Sequence, residues 1–172
     1  LYVDCDSSDA YLSVLEAGGV KYVFVVNDRR EFGPLVGETK KIREKGVAQK
    51  VTVRLAEGDA AVYELTRSRR LSPRSGKRGM AVEVELTPAA GRILAIYPRP
   101  IGRVQMSVLP TAETGGTIDL TVRVLTEEDE RASGLQPLEI ALERPDGRRT
   151  VRRTAAQEGI VRTELPVPDT AP

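Results

Sequence analysis

Apolar and polar residues alternate in short runs along this chain, most regularly at Met80-Ala81-Val82-Glu83-Val84-Glu85-Leu86. Side chains two apart leave a strand on the same face, so this run predicts a strand that buries Met80, Val82, Val84 and Leu86 and leaves Glu83 and Glu85 in water. The same period predicts strands at Leu1–Cys5, Tyr11–Glu16, Gln49–Leu55, Ala60–Leu65 and Arg92–Tyr97. Val20–Asn27 differs, because Tyr22, Phe24 and Val26 lie on one face and Val23 and Val25 on the other. It reads as a central strand covered on both sides. Ala17-Gly18-Gly19 supplies the positive φ of a tight hairpin before it. Asp28–Gly46 breaks into charges and two glycines around Pro34-Leu35-Val36 and reads as a long surface loop. Glu57-Gly58-Asp59, Ser72-Pro73-Arg74-Ser75-Gly76 and Pro88-Ala89-Ala90-Gly91 read as short links. No stretch shows a helical period.

Pro98-Arg99-Pro100 marks a boundary, since two prolines straddling one residue hold the backbone extended and remove two donors. Beyond it the alternation restarts. Arg103–Leu109 places Val104, Met106 and Val108 on one face, and Thr117–Leu125 places Ile118, Leu120, Val122 and Val124 inward. Thr126–Leu135 is an acidic, glycine-terminated loop. Leu138–Glu143, the turn Pro145-Asp146-Gly147, Arg148–Thr154 and Ile160–Leu165 complete the unit. The expected architecture is all-β: two consecutive antiparallel β-sandwich modules, residues 1–99 and 100–172. The second is immunoglobulin-like and incomplete, with about five strands where that sandwich has about seven. Its missing strands would leave unpaired edges open to association. The tail from Pro166 to Pro172 reads as a linker, and the start at Leu1 as a cut from a longer polypeptide whose targeting signal lies upstream.

Composition narrows the chemistry. The 172 residues are 40% hydrophobic and 30% charged, as in folded proteins, and 26 basic residues against 25 acidic give a net charge of +1. That is too small for general attraction to nucleic acid or an anionic membrane. No window approaches the ~18 apolar residues of a membrane helix. The chain has no histidine, which removes serine and cysteine triads, imidazole zinc sites and histidine bases. Cys5 is the only cysteine, so neither an internal disulfide nor a cysteine metal cluster can form.

Tyr22-Val23-Phe24-Val25-Val26-Asn27-Asp28, the strand Val51–Leu55, Ala61-Val62-Tyr63-Glu64-Leu65 and the closing run from Val84 to Ile96 follow a suggestive order. Over residues 10–97 the chain resembles the C-terminal β-sandwich that follows the catalytic barrel in glycoside hydrolases of the amylase and β-galactosidase kinds. That resemblance implies a module without catalytic residues that packs on a catalytic domain. The long loop Asp28–Gly46 departs from the family pattern. Residues 103–165 are similar to the immunoglobulin-like and macroglobulin-like modules of bacterial extracytoplasmic proteins, through Pro137–Gly147 and Gly159-Ile160-Val161. Such modules act as spacers or docking surfaces.

Two groupings could carry binding chemistry. Asp4, Asp6 and Asp9 offer carboxylates at short spacing, which calcium could use, but the glycine and bidentate glutamate of a calcium loop are out of place, so a solvated turn is expected. Arg67, Arg69, Arg70, Arg74, Lys77 and Arg78 form a possible anion-binding loop, expected instead to be a solvated hairpin because no aromatic residue among them could stack on a base or sugar. Glu127, Glu128, Asp129 and Glu130 form an opposite acidic knot, which could complement that loop within a larger assembly. Glu83 and Glu85 stand on one face of one strand and cannot flank a sugar as glycosidase acids must. The absence of tryptophan disfavours a carbohydrate-binding platform. No catalytic residue, metal or cofactor is expected. The leading expectation is a non-catalytic accessory region of a larger, secreted or surface-associated bacterial protein, with the rest of that chain as its partner and a glycan-acting hydrolase as the parent. The alternatives are a protein-interaction or adhesin-like module and, more weakly, a carbohydrate-binding module.

Overall fold

The computed structural model describes residues 3–36, 41–76, 79–108, 115–144 and 146–167, and these are almost wholly antiparallel β-structure. The chain divides into two compact units, Leu1–Glu16 with Lys21–Pro98 and Ala17–Val20 with Arg99–Pro172.

In the first unit two sheets share a core. One has the order β1 (Val3–Cys5), β6 (Gln49–Leu55), β10 (Gly79–Leu86), β9 (Arg74–Gly76); the other β2 (Ala10–Ala17), β3 (Val20–Asn27), β11 (Gly91–Tyr97), β7 (Ala61–Glu64), β8 (Arg69–Leu71). The alternation in β10 is what closes them. Met80, Val82 and Val84 sit opposite Leu55, Val53 and Val51 of β6, and all six are buried with Leu86 against Val23, Val25, Val62, Leu94 and Ile96 of the other sheet. Each fully buried aliphatic side chain of this kind contributes ~1.5–3 kcal/mol of transfer free energy. Glu83 and Glu85 face outward, as the period requires.

Both faces of β3 are buried over Val20–Val25, the pattern expected of a central strand. On the face away from the shared core, Tyr22 and Tyr63 flank Ala95 of β11 in register, and Tyr63 meets Tyr97 edge-on with ring centroids 5.7 Å apart. Burial raises the phenol pKa of both Tyr22 and Tyr97; their mutual hydrogen bond raises that of Tyr97 further and partly offsets the rise in Tyr22.

Two readings of the sequence are corrected. Asp28–Gly46 is not a loop without strands: β4 (Arg30–Val36) and β5 (Lys41–Gly46) pair as a two-stranded ribbon, with a register shift between Phe32 and Leu35. Its register sets Arg30 against Gly46 and Phe32 against Glu44, and Phe32 is exposed, so no apolar alternation marks it. Arg30 ties it instead, 2.7 Å from Glu44 and 2.5 Å from Asp28. Ser72–Gly76 is not a simple turn either. β8 pairs with β7 in one sheet and β9 with β10 in the other, so Ser72-Pro73 carries the chain across the sandwich. Among the described residues one 3₁₀ turn, Leu65–Arg67, precedes β8, and its three residues are too few to show a helical period.

The second unit is one ladder of five strands: β12 (Ile101–Val108), β13 (Thr117–Thr126), β16 (Ile160–Pro166), β15 (Arg149–Gln157), β14 (Leu135–Glu143). β15 and β16 share only the rung Gln157↔Ile160, whereas β14 and β15 pair along their whole length. The ladder therefore folds over itself, and Ile140, Leu138 and Leu142 of β14 pack on Leu120, Val122, Ile118, Leu165 and Val161 of β13 and β16. The expected immunoglobulin-like type is defined by seven strands in two sheets; a ladder of five fixes the antiparallel all-β class and no finer type. Leu109 and the tail from Pro168, read above as strand end and linker, lie outside the described residues, as does Pro145 of the turn in which Gly147 N–H donates to the Arg144 carbonyl.

Two measurements check this packing. Gly79 has φ +114°, and a Cβ there would stand 2.1 Å from the Leu55 carbonyl oxygen, so Gly79→Ala should lower unfolding stability in urea by ~3 kcal/mol. A loss under ~0.5 kcal/mol would contradict the close approach of Gly79 to the end of β6. Because the folded-state pKa values of Tyr22 and Tyr97 lie above the unfolded value of ~10, their neutral forms stabilise fully below that pH and the contribution is lost as pH rises past it. Absorbance at the phenolate band should therefore show these two ionising at higher pH than an exposed tyrosine, and Tyr97→Phe should move the alkaline transition to higher pH.

Candidate functional site

The arginines read as an anion-binding loop are built into an ion-pair cluster. Glu64 closes β7 and is 1% exposed, its carboxylate turned toward the core face by register with Leu94. Arg69, next along on β8, donates through Nε at 2.7 Å and approaches through Nη2 at 2.6 Å, both to Glu64 Oε2. Arg92 of β11, itself largely buried, places Nε 3.0 Å from Glu64 Oε1 but off hydrogen-bond alignment, and its Nη1 donates to the Gly91 carbonyl. Arg67 stands 3.6 Å from both Glu64 Oε1 and Glu85 Oε2. A carboxylate removed from water is tolerated only when paired and hydrogen-bonded, and here three guanidinium groups surround one.

The remaining members of that grouping divide. Arg74 lies on β9, 3.4 Å from Glu83, which also meets Lys50 at 2.7 Å; these contacts, Lys50 first, hold the Glu83 carboxyl below the usual glutamate range. Arg70 is exposed on β8 with interactions of its own. Lys77 and Arg78 lie outside the described residues. Among the described residues of that grouping, Arg67, Arg69 and Arg74 are thus matched to Glu64, Glu85 and Glu83. Two members of the acidic knot are paired within the second unit: Asp129 lies 3.1 Å from Arg103, and Glu130 pairs with Arg99.

Asp4, Asp6 and Asp9 do not converge. Asp4 Oδ1 accepts from the N–H of Cys5 while its other oxygen lies 3.4 Å from Arg54. Asp6 accepts the Thr52 N–H at 2.8 Å, which holds its carboxyl below the ordinary aspartate value. Asp9 contributes its backbone: its carbonyl accepts from Gln49 Nε2 and from the N–H of Asp28. Among the described residues no three carboxylate, thiol or imidazole groups gather as a metal site.

Two polar centres escaped the sequence reading. One is Glu64; an acidic residue ending an apolar strand with arginines three and five positions on was its signal. The other is Asn27, 4% exposed at the end of β3, whose amide donates to the Val47 and Thr87 carbonyls at 2.9 and 2.8 Å and accepts from Gln49 Nε2 and the Arg29 N–H. Ser7 joins through Gln49 at 2.7 Å. Every hydrogen-bonding group of the Asn27 amide is used, so this is a joint between segments.

In the second unit an open groove of about 470 Å³ is lined by Ser107, Asp119, Thr121, Arg162 and Glu164 among others. Asp119 and Glu164 are cross-strand partners on one sheet surface and cannot stand on opposite sides of a glycosidic bond. Aromatic platforms are equally scarce: Tyr22 and Tyr97 are buried and Tyr63 half-buried, leaving Tyr11 and Phe32 exposed among the described residues. Among those residues no helix is long and apolar enough to cross a membrane.

Comparison with known proteins finds no matching family model, no matching curated protein and no matching solved structure. The likeness to glycoside hydrolase sandwiches therefore rests on the residues quoted for it.

Glu64→Ala should cost ~3–5 kcal/mol, because it leaves Arg92 charged and unpaired in a largely buried place. The double replacement Glu64→Leu with Arg92→Met should recover most of that loss in the same denaturant titration. A double variant as unstable as Glu64→Ala would show that the ion cluster is not the source of the cost.

Proposed function

We propose that this chain is a non-catalytic β-sandwich accessory region of a larger extracytoplasmic protein, and that it works by contact with other protein segments. The observation that carries this reading is where the unsatisfied surface lies. Arg67, Arg69, Arg74, Asp129 and Glu130 of the clustered charges are paired, whereas the exposed large apolar side chains concentrate on edge strands: Tyr11, Val14 and Leu15 on β2, and Val104, Met106 and Val108 on β12. Natural edge strands are normally blunted by lysine, proline or bulges, and exposed apolar positions on an edge mark surfaces that another polypeptide covers.

The second reading, a brace for the catalytic domain of a glycan-acting hydrolase, is carried by the resemblance of residues 10–97. Both readings make the rest of the parent chain a partner. They separate from a carbohydrate-binding module through the aromatic side chains, since sugar platforms need flat rings together on one surface, and Tyr11 and Phe32 sit on different sheets.

Calorimetric titration of the chain with neutral, acidic and amino-sugar oligosaccharides at millimolar concentration tests the proposal. Flat isotherms are expected. Saturable heat that disappears in Tyr11→Ala or Phe32→Ala would replace it with a carbohydrate-binding function.

A further inference from the structure

β12 ends its ladder, so alternate N–H and C=O groups along it have no neighbouring strand among the described residues. Its core-side residues are set by register. Val104, Met106 and Val108 stand opposite Val124, Val122 and Leu120, which are buried, yet they themselves are 57%, 56% and 46% exposed. The hairpin of β14 and β15 covers β13 and β16, with Ile101 at the start of β12 packed beside Val124 and Ala156, and leaves Val104, Met106 and Val108 exposed. The core face of this unit therefore continues onto the edge as an apolar stripe in water.

The other edges differ. β14 carries Pro137, Glu139 and Glu143, which resist strand addition, and β1, β8 and β9 are three residues long. β2 splits its exposed apolar residues, Tyr11 and Leu15 falling on one face and Val14 on the other. β4 and β5 carry two and four charges, so among the described edge strands β12 alone combines length, a single charge and one continuous apolar face.

Its sequence is also self-complementary when reversed. An antiparallel pairing centred on Met106 sets Met106 against Met106 of a second copy, Val104 against Val108, and Gln105 against Ser107. Every apolar side chain then meets an apolar one, and polar meets polar. Arg103, the one charged residue, falls outside the paired segment and is occupied by Asp129. Directly opposed residues bring their Cβ atoms within about 4.5–5.5 Å, close enough for the two stripes to shield each other.

Resting on the proposed interaction role, we infer that the occupant of this edge is a second copy of the chain, and that β12 pairs with β12 about a two-fold axis at Met106. Such a contact is isologous and closed, so it makes dimers rather than fibres. It is smaller than a standard interface, so association is weak.

Sedimentation equilibrium of the purified chain from about 10 µM to about 500 µM covers the range that weak interfaces occupy. The weight-average mass should climb toward twice the monomer value. Met106→Lys, which sets two ammonium groups face to face, should hold the mass at the monomer value across the range while leaving the thermal midpoint unchanged, because Met106 is exposed. In a Cys5→Ser background, Met106→Cys should form an interchain disulfide on mild oxidation, and Val151→Cys, exposed on β15, should not. A wild-type chain that stays monomeric overturns the inference and gives the edge to a strand of another protein, with the accessory reading still judged by the oligosaccharide titrations. A dimer that survives Met106→Lys, or equal cross-linking at Val151→Cys, overturns it as well.

Discussion

Burial of alternate side chains between facing strands is the constraint on which this molecule depends. A strand can hide only one face against a given layer, so each sheet needs a second layer over its apolar side. The first unit meets the requirement with two sheets, and Val51, Val53, Val82 and Val84 meet Val23, Val25, Leu94 and Ile96 in one core. The second unit meets it in part. Its ladder folds over at the β15–β16 corner, covers Leu120, Val122 and Leu165, and leaves the equivalent positions of β12 exposed. The difference between the units is one of coverage and not of pattern.

The charged residues follow from the same geometry. Strands that alternate place a polar side chain in water at every second position, and where two sheets approach an edge those side chains meet. Glu64 is the exception: it lies on the core face at the end of β7, where β8 and β11 of the same sheet bring Arg69 and Arg92 to it. The exposed pairs around it contribute little, since surface ion pairs are worth ~0–1 kcal/mol. Glu64 matters because it is buried: its partners prevent a loss more than they add a gain.

Much of the fold was legible in the sequence where one face is dry. The strands from Gln49, Gly79, Arg92 and Thr117 announce themselves because a missed alternation would put a charge into the core. The ribbon of β4 and β5 was not legible, since Arg30, Glu31 and Lys45 form strands held by cross-strand charge and a hydrogen-bond ladder with no dry face to pattern. Exposure of Val104, Met106 and Val108 was also hidden, because the period tells which face a residue takes but not whether a second layer reaches it. The pairing of Arg67 and Arg69 with Glu64 lies within a few residues of sequence, whereas the approach of Arg92 to Glu64 and of Glu85 to Arg67 depends on strands brought together from more distant parts of the chain. Asn27 could be seen only as a polar residue ending an apolar strand; three of its four partners, Val47, Gln49 and Thr87, come from two other segments.

Native-state hydrogen exchange followed by NMR tests the central claim most directly. Coverage by a second layer predicts that amides paired within β3, β6, β10 and β11, and between β13 and β16, exchange only through large-scale unfolding of their unit. The amides of β12 should exchange faster in dilute solution, by local fraying of an uncovered edge. Equal protection of β12 and β13 in the dilute chain would contradict the account, because it would mean that the apolar stripe of Val104, Met106 and Val108 already has a covering layer within the monomer.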